Sequence, residues 1–298
     1  MNVRTVAVVG GTHGNEYTGP FLLKLLAHEP RMADYSTFDV TLLLSNPKAY
    51  ERNVRFVDSD LNRSFLTEDL ADATLGSYEA NRAKVLNQLL GPKGDSKTDL
   101  IIDLHTSTAN MGTSVVLLDD NRYNLRLASY LKGRIPGVVV YYIAAEAYTG
   151  RSDQPFLNSV AGLGFALELG PIPNGVVRYD ILMQARDVVL ACLEYVEAAN
   201  TGADVRVDDE LEVFEHVKTV PFPLDSEGAI CAVVHTAIQG ADYQPLAKGT
   251  PIFQKLDGGV VLNREEEVFF PVFINEAAYY DSKIAFSLTR KTVVRIAE

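Results

Sequence analysis

A histidine and a glutamate stand three positions apart in GGTHGNE, residues 10–16, directly after the apolar run Val6 to Val9. A glycine-rich turn after a first strand most often holds phosphate, but Gly10, Gly11 and Gly14 fit neither G-x-G-x-x-G nor G-x-x-x-x-G-K-[ST]. What remains is an imidazole, His13, and a carboxylate, Glu16, at the C-terminal end of a strand, where open α/β sheets gather their ligands. A second imidazole, His105, ends the apolar run of DLIIDLHTSTANMG and is expected to emerge at the same kind of edge. Taken alone, His105 reads first as a core histidine satisfied by a backbone carbonyl; beside the GGTHGNE turn it reads as a ligand. His13, Glu16 and His105 suit a catalytic zinc, because three protein ligands leave the fourth tetrahedral position open to water.

Asp103 lies two residues before His105, so on a strand the two side chains share a face and the carboxylate can orient the imidazole. The stretch VRFVDSDLNRSF, residues 54–65, crowds Arg55, Asp58, Asp60, Asn62 and Arg63 into nine positions. From composition this is a solvated loop whose charges pair with one another; as a site, its arginines would grip a carboxylate through parallel hydrogen bonds. Glu168 sits inside the apolar run FALELG. A carboxylate buried there is either paired with an arginine or close to a metal, where a raised pKa lets it shuttle protons near neutrality.

The elements that must position these groups follow from periodicity. Strand-like runs at 5–10, 39–45, 99–104, 114–118, 138–143 and 164–169 alternate with helical patterns at 18–28, 77–90, 121–132 and 179–199. That alternation predicts an α/β layer structure with a mostly parallel or mixed sheet covered on both faces. From about residue 205 the chain turns to short β-rich runs broken by Pro and Gly, so a catalytic α/β domain over 1–204 and a smaller all-β domain over 205–298 are expected. With 47% apolar and 22% charged residues the 298-residue chain has the composition of a globular protein. Its net charge of −12 argues against a general affinity for nucleic acid or anionic membranes. Two cysteines, Cys192 and Cys231, are too few for a disulfide scaffold and read as reduced, buried residues. No run of 18 apolar residues and no signal-peptide pattern appears, so a cytoplasmic protein is expected.

Four segments, GGTHGNE, the NP pair with DLNRSF, DLHTSTANMG and ELGPIPNGV, joined by NEAAYY at 275–280, run in order from residue 10 to residue 280. In this the sequence resembles aspartoacylase and the aminoacylase acting on N-acyl aromatic amino acids, within the zinc carboxypeptidase-like deacylases. The resemblance implies a carboxypeptidase-like α/β domain with a mixed central sheet, and a C-terminal β domain that narrows access to the site. It implies one zinc per chain on His13, Glu16 and His105, and Glu168 as general base and then acid. It further implies Arg55 polarising the scissile carbonyl, with Asn62, Arg63 and Tyr279 binding substrate carboxylates and Asp60 and Asp103 as supports. An arginine that contacts the aspartate side chain in aspartoacylase does not carry over at the same spacing; Arg151, with Tyr148 beside it, is the candidate. The implied partner is a small N-acyl amino acid, N-acetyl-L-aspartate first, with N-acyl aromatic or neutral amino acids and N-succinyl amino acids as alternatives. A catalytically silent metal- or carboxylate-binding protein is a further reading, and a homodimer contact is an alternative role for the β domain.

Overall fold

The structure, a computed structural model, describes residues 2–144, 150 and 152–296. The N-terminal part runs β1 (Thr5–Gly10), α1 (Thr18–Leu26), β2 (Asp39–Leu44), α2 (Pro47–Arg52), α3 (Thr67–Ala71), α4 (Tyr78–Leu90) and β3 (Leu100–Thr106). It continues through β4 (Gly112–Leu117), α5 (Arg122–Arg134), β5 (Val138–Tyr142), β6 (Leu163–Gly170) and α6 (Tyr179–Thr201). The remainder is β7 (Glu210–Pro221), β8 (Ala232–Val234), β9 (Pro251–Lys255), β10 (Val260–Leu262), β11 (Phe270–Val272) and β12 (Ile284–Arg295).

The run TVAVVG makes β1 because stiff β-branched side chains favour extended backbone, and because both faces of the strand are covered. Val6 and Val8 pack in one core with Leu22 of α1, Leu127 of α5 and Val188 of α6. Ala7 and Val9 pack in another with Ala83 and Leu86 of α4. Each fully buried aliphatic side chain of this kind contributes about 1.5–3 kcal/mol. Ser77 caps α4 by accepting from the Ala80 amide at 3.2 Å, and Gly202, left-handed at φ 72°, ends α6. Helices α2 and α3, of six and five residues, were not expected, since such short elements carry too little periodicity to detect.

Among the described residues nine strands form one mixed sheet in the order β11-β12-β7-β5-β4-β6-β3-β1-β2, and β10-β9-β8 form a second, three-stranded sheet. Within the large sheet β4 runs antiparallel to β6, whereas β1, β2, β3 and β6 are parallel neighbours. Strand β7 pairs with β5 at Tyr141–Phe214 and Tyr142–Glu215 and then along its length with β12. The all-β part therefore shares a sheet with the α/β part, a continuity the composition change near 205 does not reveal. One expectation needs correcting: Cys192 is buried, but Cys231 is half-buried, because it lies at the edge of the small sheet; both are free thiols.

Candidate active site

The two-residue period of the strands sets the site. Leu100, Ile102 and Leu104 of β3 and Phe165, Leu167 and Leu169 of β6 point into the core beneath α1, α5 and α6. Asp103, His105 and Glu168 consequently stand on the opposite face. Parallel register places His105 beside Glu168, and the antiparallel ladder places Ser114 of β4 on the other side of Glu168. His13 and Glu16 arrive from the turn after β1. Gly14 is required there by close approach: a Cβ on it would lie 2.0 Å from the Ala49 carbonyl carbon of α2. Gly11 turns the chain at φ +72°. The glycines of GGTHGNE thus pack a turn against α2 and leave its imidazole and carboxylate aimed at the sheet edge.

His13, Glu16 and His105 are all buried, and their donor atoms lie within 4.8 Å of one another. His13 Nδ1 is 2.6 Å from Glu16 Oε1, His105 Nδ1 is 3.0 Å from Glu16 Oε2, and the two Nδ1 atoms are 3.2 Å apart. The far nitrogen of each imidazole is engaged by a carboxylate: His13 Nε2 by Asp60 at 3.1 Å and His105 Nε2 by Asp103 at 2.8 Å. Asp103 is itself held by the Thr12 hydroxyl at 2.7 Å. This is the arrangement that fixes tautomer and ring orientation in metal-binding histidines, with both Nδ1 atoms turned inward. The three residues therefore fit a divalent metal, and a nitrogen–oxygen set of this kind favours zinc over calcium or magnesium. Although burial opposes the charge, the Asp103 and Glu16 carboxylates hold the His105 imidazole well above its usual range. Burial likewise opposes ionisation of Glu16 and Asp60, yet His13 and His105 at Glu16, and His13 with Arg55 and Arg63 at Asp60, hold both well below the usual carboxylate range.

The loop 54–65 folds over this cluster instead of lying solvated. Arg55 Nη2 donates to Asp60 Oδ2 at 3.0 Å and Nη1 to Glu16 Oε1 at 3.4 Å. Asn62 is buried; its Oδ1 accepts from the Leu157 amide at 2.8 Å, which leaves Nδ2 toward His105 Nε2 at 3.3 Å. Arg63 donates from Nη1 to the Asn62 carbonyl at 2.8 Å and lies 5.0 Å over the Phe156 ring. Asp58 faces away and accepts from the Tyr78 amide at 2.7 Å.

Glu168 lines the same cleft, and no described residue hydrogen-bonds its carboxylate. Burial pushes its pKa up to about 7. The cleft has a volume of about 1000 Å³, open to solvent, and is lined by the triad, Arg55, Asn62, Arg63, Glu168 and Tyr279. Residues of the C-terminal part, among them Thr219, Phe273, Ile284 and Ser287, complete its wall. Arg151 and Tyr148 lie outside the described residues.

Two structural carboxylates escaped the sequence reading. Glu79, in the first turn of α4, accepts from the backbone amides of Val57, Asp58 and Ser59 at 2.6–3.1 Å and so shapes the arginine loop. Glu276, from NEAAYY, accepts from the Ser107 hydroxyl, from the Thr108 amide at 2.7 Å, from the Thr108 hydroxyl at 3.0 Å and from the Ala109 amide at 3.1 Å. It ties the C-terminal part to the loop that follows His105. The only signal for Glu276 was the acidic position inside a matching segment, and Glu79 left none beyond its place near a helix start.

An α/β sheet carrying such a cluster at the carboxyl ends of its strands, with a β domain against the opening, defines a deacylating enzyme of carboxypeptidase-like build. The chain belongs to the succinylglutamate desuccinylase/aspartoacylase family: the catalytic-domain profile matches residues 2–196 and the AstE/AspA barrel-sandwich hybrid profile residues 209–291. A "Probable aspartoacylase" of Trichodesmium erythraeum is 40% identical over 294 residues, covering 99% of both chains. The N-acyl-aromatic-L-amino acid amidohydrolase (carboxylate-forming) of Xenopus tropicalis is also 40% identical over 294 residues, covering 97% of this chain and 94% of the relative. Among solved structures, murine aminoacylase 3 superposes with a TM-score of 0.93 at 34% identity, covering 99% of this chain and 98% of that one.

Proposed function

We propose that the protein is a zinc-dependent amidohydrolase that cleaves the amide bond of an N-acyl amino acid, N-acetyl-L-aspartate to aspartate and acetate, in the cytoplasm. The observation that carries this reading is the inward convergence of His13, Glu16 and His105 beside Glu168, whose carboxylate no described residue hydrogen-bonds. One zinc held by the triad supplies Lewis-acid polarisation and water of lowered pKa. Glu168 takes the proton of the attacking water at a carboxylate oxygen and returns it to the departing nitrogen. Arg55, braced by Asp60, places positive charge where the carbonyl oxygen becomes negative. Arg63, Asn62 Nδ2 and Tyr279 bind the substrate carboxylate, Arg151 is assigned to the aspartate side chain, and residues 205–298 restrict access to the cleft.

A second reading, an N-acyl aromatic or neutral amino acid as substrate, is favoured by the cleft wall itself. Away from the triad the described lining carries Val116, Leu118, Ile143 and Phe273 among the hydroxyls of Thr219, Ser282 and Ser287, and its only described arginines or lysines are Arg55 and Arg63. Amine release from N-acetylaspartate, N-acetylglutamate, N-acetyltyrosine and N-succinylglutamate separates the two readings. Turnover of none of them by the zinc-loaded protein would leave a silent binding protein. Chelation is expected to abolish turnover and to lower Tm, since metal present at 100 times its Kd stabilises by about 2.7 kcal/mol. Turnover that survives full metal removal would remove zinc from the reaction.

For Arg63→Lys a KM increase of about tenfold or more is expected with kcat little changed, because an ammonium keeps the charge but loses the paired donors and the stacking plane over Phe156. Steady-state kinetics reads this directly, and an unchanged KM would mean that Arg63 grips no carboxylate.

A further inference from the structure

Beside the cleft lies a second pocket, of about 630 Å³ and likewise open to solvent, and Asn158 and Leu118 line both spaces. Its lining includes two amide side chains, Asn158 within the turn Leu157–Val160 and Gln154 three residues before it, each only 5% exposed. Among the described residues neither Nε2 nor Oε1 of Gln154 has a hydrogen-bond partner, and neither does Oδ1 of Asn158. Buried polar groups are penalised when unpaired, so three such atoms within five positions mark a place that something other than the chain completes.

The neighbouring polar groups are already committed. Asn124 donates to Asp119 Oδ1 at 2.9 Å and accepts from the Gly164 amide at 2.9 Å. Ser159 donates to backbone carbonyls, and Lys93 donates to the carbonyls of Phe65 and Gln154 and pairs with Asp153 at 2.5 Å. What stays open is two carbonyl acceptors and one amide donor. The described charges around them are two carboxylates, Asp119 and Asp153, and one ammonium, Lys93. Such a lining selects a small molecule with a cationic N–H donor and one acceptor group. The space accommodates one.

We propose that this chamber is a binding site for a free α-amino acid, its ammonium donating to Gln154 Oε1 and Asn158 Oδ1 and its carboxylate accepting from Gln154 Nε2. Deacylation releases that class of molecule in the neighbouring cleft, so the chamber would retain product beside it; this role, though not the binding, rests on the deacylase reading.

Calorimetric titration of the full chain with glycine tests the site. Binding is expected to persist in Arg63→Ala, since Arg63 lines the cleft and not the second pocket. It is expected to weaken about tenfold or more in Gln154→Met, as loss of charge-assisted hydrogen bonds requires. Gln154 does not line the cleft, so kcat/KM should stand. Asp119→Asn, at an exposed position that leaves the core untouched, should weaken glycine severalfold. Absence of glycine binding, or binding unchanged by both Gln154→Met and Asp119→Asn, would leave the chamber a pocket of ordered water. Failure of the deacylase reading shows separately, as no amine release from any N-acyl substrate, and leaves the glycine titration intact.

Discussion

Glu168→Gln is expected to retain its metal and lose turnover by about 10²–10⁴-fold, the range that a positioned general acid–base contributes. The substitution preserves shape but removes the group able to accept and return a proton. Because no described residue donates to Glu168, few native hydrogen bonds are disturbed, and Tm should hardly move. Metal content measured beside kcat separates the two roles: near-wild-type turnover at full occupancy would dismiss Glu168 as the base. The pH profile carries the same signature. A base must be deprotonated, and burial pushes the Glu168 carboxyl up to about 7. The kcat/KM value should therefore rise with pH along an acid limb ending near or below that value, since a nearby dication favours the ionised form. In Glu168→Gln that limb should vanish from the residual rate.

The second large effect is expected far from the reacting atoms. Glu276→Ala removes an acceptor shared by Ser107, Thr108, Ala109 and Ala278, which leaves the Thr108 and Ala278 amides and two hydroxyls to find new partners, while the Ala109 amide keeps the Ser107 hydroxyl oxygen at 3.0 Å. At about 1–3 kcal/mol for each unsatisfied donor, with partial relief by water, a destabilisation of about 3–5 kcal/mol is expected. The loop concerned directly follows His105 and Thr106, and the Thr106 amide donates to Glu16 Oε2 at 3.0 Å. Loss of the clamp should therefore weaken metal affinity and kcat/KM together. Equilibrium unfolding with zinc titration checks both; a Glu276→Ala protein with wild-type stability and metal affinity would reduce the clamp to an incidental contact. Glu276→Gln keeps one acceptor oxygen and should recover part of the stability.

Much of the fold could be read because it is written in local periods. The run LIIDLHT alternates core and site residues, so a strand with Asp103 and His105 on one face follows from residue spacing, and the 2.8 Å contact between them agrees. Phosphate binding could be set aside at the turn of residues 10–16 from glycine spacing alone. Sequence spacing did not reveal why Gly14 is a glycine, since the backbone it meets belongs to α2, some thirty-five residues away.

The sequence by itself determined the types of the longer elements, the alternation that makes an α/β layer, the change to β structure after about residue 205 and the candidate identities His13, Glu16, His105 and Glu168. Tertiary structure alone decided that β4 runs antiparallel, that β7 extends the same sheet, that both Nδ1 atoms turn toward Glu16, and that Glu79 and Glu276 hold the site's loops. The reason is physical. Strand and helix periods arise from side chains a few positions apart, whereas a carboxylate's partners are whatever donors packing brings to it. For Glu276 those donors lie 167–169 positions away, where no local pattern in the chain can record them.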